Sequence, residues 1–296
     1  MSDSPEQPAA EAPETSAPEA AEAPGDANAL RGYHFRRLLS KPAVLILIGI
    51  LVVAAGTACA IFLSALIGAG AALAVLLLSL VVVLVIADSM AADAFFADYA
   101  SQRGLELGGR SPLPASTPLL RKGDDRYAER TLSGPFADGV EGILALYTYE
   151  EESTDSEGNR ETNYYRYTVG MVNVPECSEF VPELFCQRKF GLRALEGFED
   201  AFRRSKERVK LESEALDQKY EIFTGKGQDN VWLRRLFSPT FIVRLTDEAP
   251  KKFAFELVGG SLCCYVSGHK ESAADLDLIR SATAAVAARL REEAGE

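Results

Sequence analysis

The longest hydrophobic pattern in the chain covers residues 43–87, where none of the 45 side chains is charged. A single α-helix of that length would extend about 68 Å, roughly twice the ~30 Å hydrocarbon core of a bilayer. The pattern therefore predicts a transmembrane hairpin, with helices near residues 43–65 and 69–87. The turn is expected within residues 66–71, which include Gly68 and Gly70.

A secretory signal peptide is the competing interpretation of this run. Signal peptides begin at the N-terminus with a basic region and an apolar core of about 7 to 15 residues. In this chain residues 1–42 precede the run, and they are largely polar and acidic. The pattern favours the membrane hairpin.

Basic side chains flank the hairpin on its entry side. Arg31, Arg36, Arg37 and Lys41 lie in a juxtamembrane segment, residues 31–42, and the predicted turn has no basic residue. The positive-inside rule places such a flank in the cytoplasm, and acidic residues at the exit contribute little to that rule. Two crossings return the chain to the same side. The sequence thus predicts a multi-pass protein of the cell membrane with both termini in the cytoplasm.

The N-terminal segment has a different composition. Residues 1–30 contain seven acidic side chains and no basic one, and the remainder is mostly Ala, Pro and Ser. Such a segment has too little apolar surface to offset its ordering entropy, so it is predicted to be disordered. The whole chain has a net charge of -12 and no basic stripe, which excludes nucleic acid as an expected partner.

Residues 88–120 are expected to connect the membrane to a soluble domain. The amphipathic pattern of residues 88–102 predicts that the second helix continues beyond the bilayer, with Phe95, Phe96 and Tyr99 near the membrane surface, where aromatic residues are enriched. Residues 103–120 are rich in Gly and Pro and predict an extended linker. The soluble domain is expected at residues 121–293.

The first clear element of that domain is a long hairpin. Residues 140–149 and 164–172 are rich in β-branched and aromatic side chains, and an acidic connection with Gly158-Asn159 joins them. The candidate binding surface on this hairpin comprises Tyr147, Tyr149, Tyr165, Arg166 and Tyr167. Two interpretations stay open. The tyrosines can be cross-strand packing pairs, each contributing about 0.2 to 1 kcal/mol, or a platform for a ligand or peptide.

A second hairpin is predicted at residues 252–258 and 261–267, around Gly259-Gly260. Because side chains alternate with period two, pairing about this turn places Cys264 in the core and Cys263 on the opposite face beside Glu256. Ser272, with an acidic residue three positions later, predicts the start of a final helix. Its stripe, with the three-four spacing of a face buried against a sheet, consists of Leu276, Ile279, Thr283, Val286 and Leu290.

The pattern predicts an α+β fold. Short strands are expected at residues 209–211 and 220–223, followed by a helix at 230–237 and another that begins at Ser238-Pro239. The fold class is an α+β soluble domain, mainly an antiparallel sheet with a C-terminal helix, behind the two-helix transmembrane hairpin. A PH-like barrel with a helical insert at residues 228–248 is the alternative.

Four ordered segments carry a resemblance to a known family. They are LPASTPLLRKGDDR at 113–126, LALYTYEEE at 144–152, ALDQKYEIFT at 215–224 and LFSP at 236–239. Over about residues 88–293 the chain resembles a bacterial membrane-anchored domain family of unknown function. The resemblance implies two transmembrane helices ahead of a soluble α+β domain, and it supplies no catalytic residue.

Candidate chemistry is sparse in the sequence. The two histidines, His34 and His269, cannot form a helical metal pair, and His269 is expected in a solvated loop. The spacings of the five cysteines do not match a structural zinc site. Gly225-Lys226-Gly227 lacks the ending of a phosphate-binding loop, and adjacent carboxylates such as Glu150 are expected on solvated loops. No catalytic residue, cofactor or metal is predicted.

The expected function is accordingly a non-enzymatic binding or scaffold module at the cytoplasmic membrane face. Its expected partners are the lipid bilayer, a protein, peptide or lipid headgroup, and a second copy of the chain through the helices. The alternatives are a membrane-tethered enzyme that uses Cys263 or a carboxylate, and a structural or assembly role through the helix pair. Small residues in the first helix, such as Gly56 and Ala60, would let two helices of one chain or of two copies approach closely.

Overall fold

In a computed structural model of the protein, residues 27–62, 64–154, 158–189 and 206–295 are described. The predicted disordered tail lies mostly outside these residues, at 1–26. The described residues begin with helices α1 (Ala27–Leu39), α2 (Pro42–Phe62) and α3 (Ala65–Arg103). Among the described residues, α2 and α3 are the helices long and apolar enough to cross a membrane.

The turn between α2 and α3 lies earlier than predicted. Ser64 caps α3, and its hydroxyl oxygen accepts a hydrogen bond from the Ile67 N–H at 3.3 Å. Gly68 is therefore inside the helix and not in a turn. A Cβ atom at Gly68 would lie 2.6 Å from the Gly56 carbonyl oxygen and 2.7 Å from the Ala60 Cβ. The glycine that suggested a turn instead lets the two helices pack closely within one chain.

Helix α3 continues well beyond the apolar run, as predicted, and its aromatic residues face protein on this part of the helix. Phe95, Phe96 and Tyr99 are buried in the core of the soluble domain. The prediction of an extended linker at residues 103–120 is also wrong. This stretch includes strand β1 (Glu106–Gly108) and the fully buried Leu119 and Leu120. The domain thus begins within α3 and not near residue 121.

Nine strands of the described residues form one antiparallel sheet. After β1 they are β2 (Asp125–Ala137), β3 (Val140–Thr154), β4 (Arg160–Asn173), β5 (Glu183–Arg188), β6 (Lys206–Val209), β7 (Tyr220–Gly225), β8 (Ala254–Val258) and β9 (Ser261–Ser267). Their order is β1-β2-β3-β4-β9-β8-β5-β7-β6. In the described part of the chain β1 and β6 form opposite edges, so the sheet is open and the α+β prediction is confirmed. The PH-like barrel is wrong.

Both predicted hairpins are present. β3 and β4 pair from Ile143 opposite Met171 to Thr154 opposite Arg160, so the hairpin extends farther toward its turn than the sequence indicated. In the β8–β9 hairpin Phe255 lies opposite Cys264 and Glu256 opposite Cys263, as the alternation predicts. Cys264 belongs to the main core and Cys263 to the opposite face. The predicted strand at residues 209–211 is displaced, because β6 begins at Lys206 and ends at Val209.

Short helices α4 (Glu214–Lys219), α5 (Asn230–Leu236) and α6 (Pro239–Val243) precede β8, and a π-helical turn (Arg244–Glu248) extends α6. The last helix is α7 (Ala273–Gly295), and all five residues of its predicted stripe are buried. A Cβ atom at Gly170 of β4 would lie 2.4 Å from the Thr283 hydroxyl oxygen, so this glycine lets α7 approach the sheet. The C-terminal part of α3 and α7 cover one face of the sheet.

Candidate binding surface

Four of the five predicted surface residues are brought together on β3 and β4. Tyr147 lies opposite Tyr167, and Tyr149 lies opposite Tyr165. The Tyr149 ring stacks on Tyr165 with centroids 4.8 Å apart, and on Tyr167 at 5.9 Å. All four side chains point to the same face because residues in a strand alternate between faces. Arg166, between two of them, points to the other face.

A segment that we call the strap, residues 113–122, covers most of this tyrosine face. Leu119 and Leu120 of the strap pack in the same buried cluster, and the Tyr147 hydroxyl donates to the Leu119 carbonyl at 3.3 Å. Tyr147, Tyr149 and Tyr167 are thereby buried. Cross-strand packing accounts for these three rings. Ligand binding stays a prediction that rests on the half-buried Tyr165 and the exposed Arg166.

Beneath the strap lies a fully buried carboxylate, Glu256 of β8. Its Oε2 accepts a hydrogen bond from the Leu119 backbone N–H at 3.0 Å, and its Oε1 accepts one from the Tyr265 hydroxyl at 3.3 Å. Burial raises the pKa of Glu256, and the Leu119 hydrogen bond opposes that rise. The positive charge of Lys122, which is also buried, likewise acts to lower the pKa of Glu256.

Glu256 therefore holds the strap on the sheet, because a buried carboxylate without partners would be very costly. The sequence prediction placed Glu256 beside Cys263 but assigned it no role. The available signal was a lone acidic residue inside an apolar strand. Its partner at Leu119 could not be identified, because the two are 137 positions apart in the chain.

The four cysteines outside α2 are all buried. Burial raises the pKa of the Cys177 thiol to about 11 and raises the pKa values of Cys186, Cys263 and Cys264 as well. These side chains are neutral thiols at pH 7, and a thiol is a poor nucleophile and metal ligand compared with a thiolate. Among the described residues, no group of three His, Cys, Asp or Glu side chains is placed to hold a metal ion.

His269 is not solvated as predicted, since its side chain is 11% exposed. Its Nε2 lies 3.2 Å from the Tyr147 carbonyl oxygen and 3.3 Å from the Thr148 hydroxyl oxygen, while its Nδ1 lies 3.8 Å from Glu129. The Tyr147 carbonyl oxygen can only accept, so the imidazole Nε2–H donates to it, while the Thr148 hydroxyl donates to Glu129. Burial lowers the pKa of His269, and Glu129 opposes the change.

This hydroxyl, imidazole and carboxylate group resembles the order of a catalytic triad only superficially. The Thr148 hydroxyl belongs to a fully buried residue and donates to Glu129, not to His269. A nucleophile needs both an open approach and a base that accepts its proton. The arrangement therefore serves to fasten the β9–α7 loop to strands β2 and β3.

Ion pairs fasten the domain to helices α1 and α3. Arg31 of α1 pairs with Asp88 of α3 and, at 2.6 Å, with Glu271 at the start of α7. Farther along α3, Arg103 and the Tyr99 hydroxyl both donate to Asp277 of α7, at 2.6 and 2.9 Å. Burial acts to raise the pKa of Asp277, but these hydrogen bonds outweigh it and lower the pKa.

No family model, curated protein or solved structure matches this chain. The likeness to the bacterial membrane-anchored domain family stays a resemblance between sequence segments. Arguments about function rest on the geometry of the chain itself.

Proposed function

We propose that this protein is a membrane-anchored, non-enzymatic binding or scaffold module that holds its α+β domain close to the cytoplasmic face of the membrane. One observation carries the proposal: α3 passes from a candidate membrane span into the domain core without a linker. A continuous helix whose far end is packed on two sides resists bending. The domain would consequently keep a defined position relative to the bilayer.

The burial of potentially reactive groups also supports a binding role. The four thiols outside α2, Glu256 and the Thr148 hydroxyl are all inaccessible, so none can meet a substrate in the described arrangement. A membrane-tethered enzyme would need convergent, accessible groups in a cleft. The rival enzymatic role that uses Cys263 requires the strap to leave the sheet.

We place the partner at the end of the β3–β4 hairpin. β9 ends at Ser267, opposite Tyr167, so residues 160–165 of β4 extend beyond it. In the described part of the chain no strand pairs with residues 160–165 on the side away from β3. An open strand edge of this kind can accept an extended peptide through backbone hydrogen bonds. Tyr164, which is 53% exposed, and Arg166 would contact the side chains of that peptide.

Cysteine accessibility tests the membrane orientation. Ser64→Cys marks the turn between α2 and α3, and Asp138→Cys marks the exposed β2–β3 turn of the domain, in a chain whose Cys59 is changed to Ala. In inside-out vesicles a membrane-impermeant maleimide should label position 138 and not position 64. The reverse pattern in inside-out vesicles would contradict a cytoplasmic domain. Labelling of both positions on one side would contradict the hairpin.

Site-specific photo-cross-linking tests the partner surface. A photoreactive amino acid at Tyr164 of the full chain in native membranes should form a discrete protein adduct, and the same group at Glu141, on the other end of the hairpin, should not. Arg166→Ala should weaken the adduct at 164. Equal adducts at both positions, or a purified chain that turns over a substrate, would count against the proposed binding module.

A further inference from the structure

Helix α1 has one face held against the rest of the protein. Arg31 on this face makes the two ion pairs with Asp88 and Glu271. One turn later His34 is 9% exposed. Leu30 packs against the main core of the domain. These contacts fix how α1 is rotated about its own axis.

The opposite face of α1 is open and basic. Gly32, Tyr33, Arg36, Arg37 and Ser40 line a shallow depression of about 680 Å³. The Arg36 and Arg37 side chains are exposed, and within the described residues neither has an ion-pair partner. Gly32 leaves room at the centre, because a Cβ atom there would meet nothing within 4 Å. Two guanidinium groups without an ion-pair partner among the described residues thus border the depression, although the whole chain has a net charge of -12.

The depression lies beside the start of a candidate membrane span. Helix α2 begins at Pro42, immediately after Ser40 and the exposed Lys41. The first turn of α2 exposes Leu45 and Ile46, at 52% and 61%. The basic depression therefore lies next to an apolar helix surface. A phospholipid has the same arrangement, with a polar headgroup next to apolar acyl chains. Tyr33, 59% exposed, is of the type enriched at that depth.

We propose that this face of α1 binds the headgroup of an anionic phospholipid, with the phosphodiester held by Arg36 and Arg37 and an acyl chain along α2. The inference rests on the proposed membrane location. Guanidinium groups match phosphate oxygens by paired hydrogen bonds, which gives them an advantage over other cations. Free phosphate shares this chemistry, but it would leave the exposed apolar turn of α2 without a function.

Native mass spectrometry of the detergent-solubilised full chain tests the proposal. The chain is incubated with equal amounts of phosphatidylglycerol and phosphatidylcholine. The unmodified chain should retain phosphatidylglycerol preferentially. The Arg36→Gln/Arg37→Gln variant should lose about tenfold or more of that preference, since each basic side chain near an anionic surface contributes about fivefold. Arg36→Lys/Arg37→Lys should keep part of it.

Control experiments distinguish the lipid site on α1 from the membrane location on which it rests. Lys210→Gln/Lys226→Gln removes the same charge from exposed sites on the domain and should leave the preference unchanged. Excess inorganic phosphate should not displace the lipid. No preference in the unmodified chain, full preference in the glutamine variant, or displacement by phosphate would overturn the lipid site. Carbonate extraction of the same proteins reports membrane integration separately, so loss of the lipid site and loss of the anchor give different results.

Discussion

The structure predicts that a chain cut at residue 121 cannot fold, although the sequence pattern places the domain boundary there. The cut removes the C-terminal part of α3, strand β1 and the strap. The large buried side chains lost with them are Phe95, Phe96, Tyr99, Leu119 and Leu120. Full burial of such a side chain contributes about 1.5 to 3 kcal/mol, so the five together contribute about 7 to 15 kcal/mol. That loss is comparable to the entire stability of a typical domain, about 5 to 15 kcal/mol.

The comparison needs two fragments, residues 88–296 and 121–296. The longer one should unfold cooperatively in urea, as followed by circular dichroism, and should show dispersed amide signals by NMR. The shorter one should have neither property. Cooperative unfolding of residues 121–296 at the same urea concentration as the longer fragment would refute the assignment of α3 to the domain core.

A point substitution makes the same test within the longer fragment. Phe96→Ala should lower the free energy of unfolding by about 3 to 5 kcal/mol, because it leaves a cavity between α3 and the sheet. Asp98→Ala, two positions away on the exposed face of α3, should change it by less than about 0.5 kcal/mol. Equal effects of the two substitutions would show that α3 does not pack as described.

Three further predictions concern other parts of the molecule. The native domain should react slowly with iodoacetamide at pH 7, and rapid alkylation of Cys263 would contradict its burial beneath the strap. Because burial raises the pKa of Glu256 in the folded state, stability should fall as pH rises above the unfolded-state value of about 4.3. Urea unfolding at several pH values should show this loss of stability in the unmodified chain. If the same loss persisted in Glu256→Gln, it would have to come from another group. Gly68→Leu should lower the thermal stability of the full chain in detergent, whereas Gly70→Leu, where a Cβ atom meets nothing within 4 Å, should not; equal effects would contradict the close helix contact.

Local sequence patterns were sufficient for the elements whose determinants are close together in the chain. An uncharged run of this length predicts two apolar helices, and the structure contains them. The Gly259-Gly260 turn sets the β8–β9 register, and the period of two then assigns Cys263 and Cys264 to opposite faces. The capping residue and the three-four spacing located α7 and its buried stripe. In each case the deciding contacts are made within one element or across one short turn.

The candidate binding surface could be predicted only in part. The β3–β4 hairpin and its tyrosine pairs follow from alternation and from strand propensity. Whether those rings face solvent depends on the strap, and the strap is held by a hydrogen bond between Leu119 and the distant Glu256. The Gly and Pro content of residues 103–120, which overlap the strap, predicted an extended linker. Extended backbone of this composition is compatible with a covering segment as well as with a linker, and composition alone does not distinguish them.

The sequence by itself determined that the chain has a pair of apolar helices, an antiparallel sheet and a terminal amphipathic helix. These elements follow from hydrophobic periodicity, which can be recognised over a few residues. Tertiary structure alone decided that α3 belongs to both the apolar helix pair and the domain core, that three of the tyrosines are covered, and that α1 turns Arg36 and Arg37 outward. Those outcomes depend on which surfaces meet across more than a hundred residues of chain, and burial against a distant partner leaves little trace in the local pattern of either one.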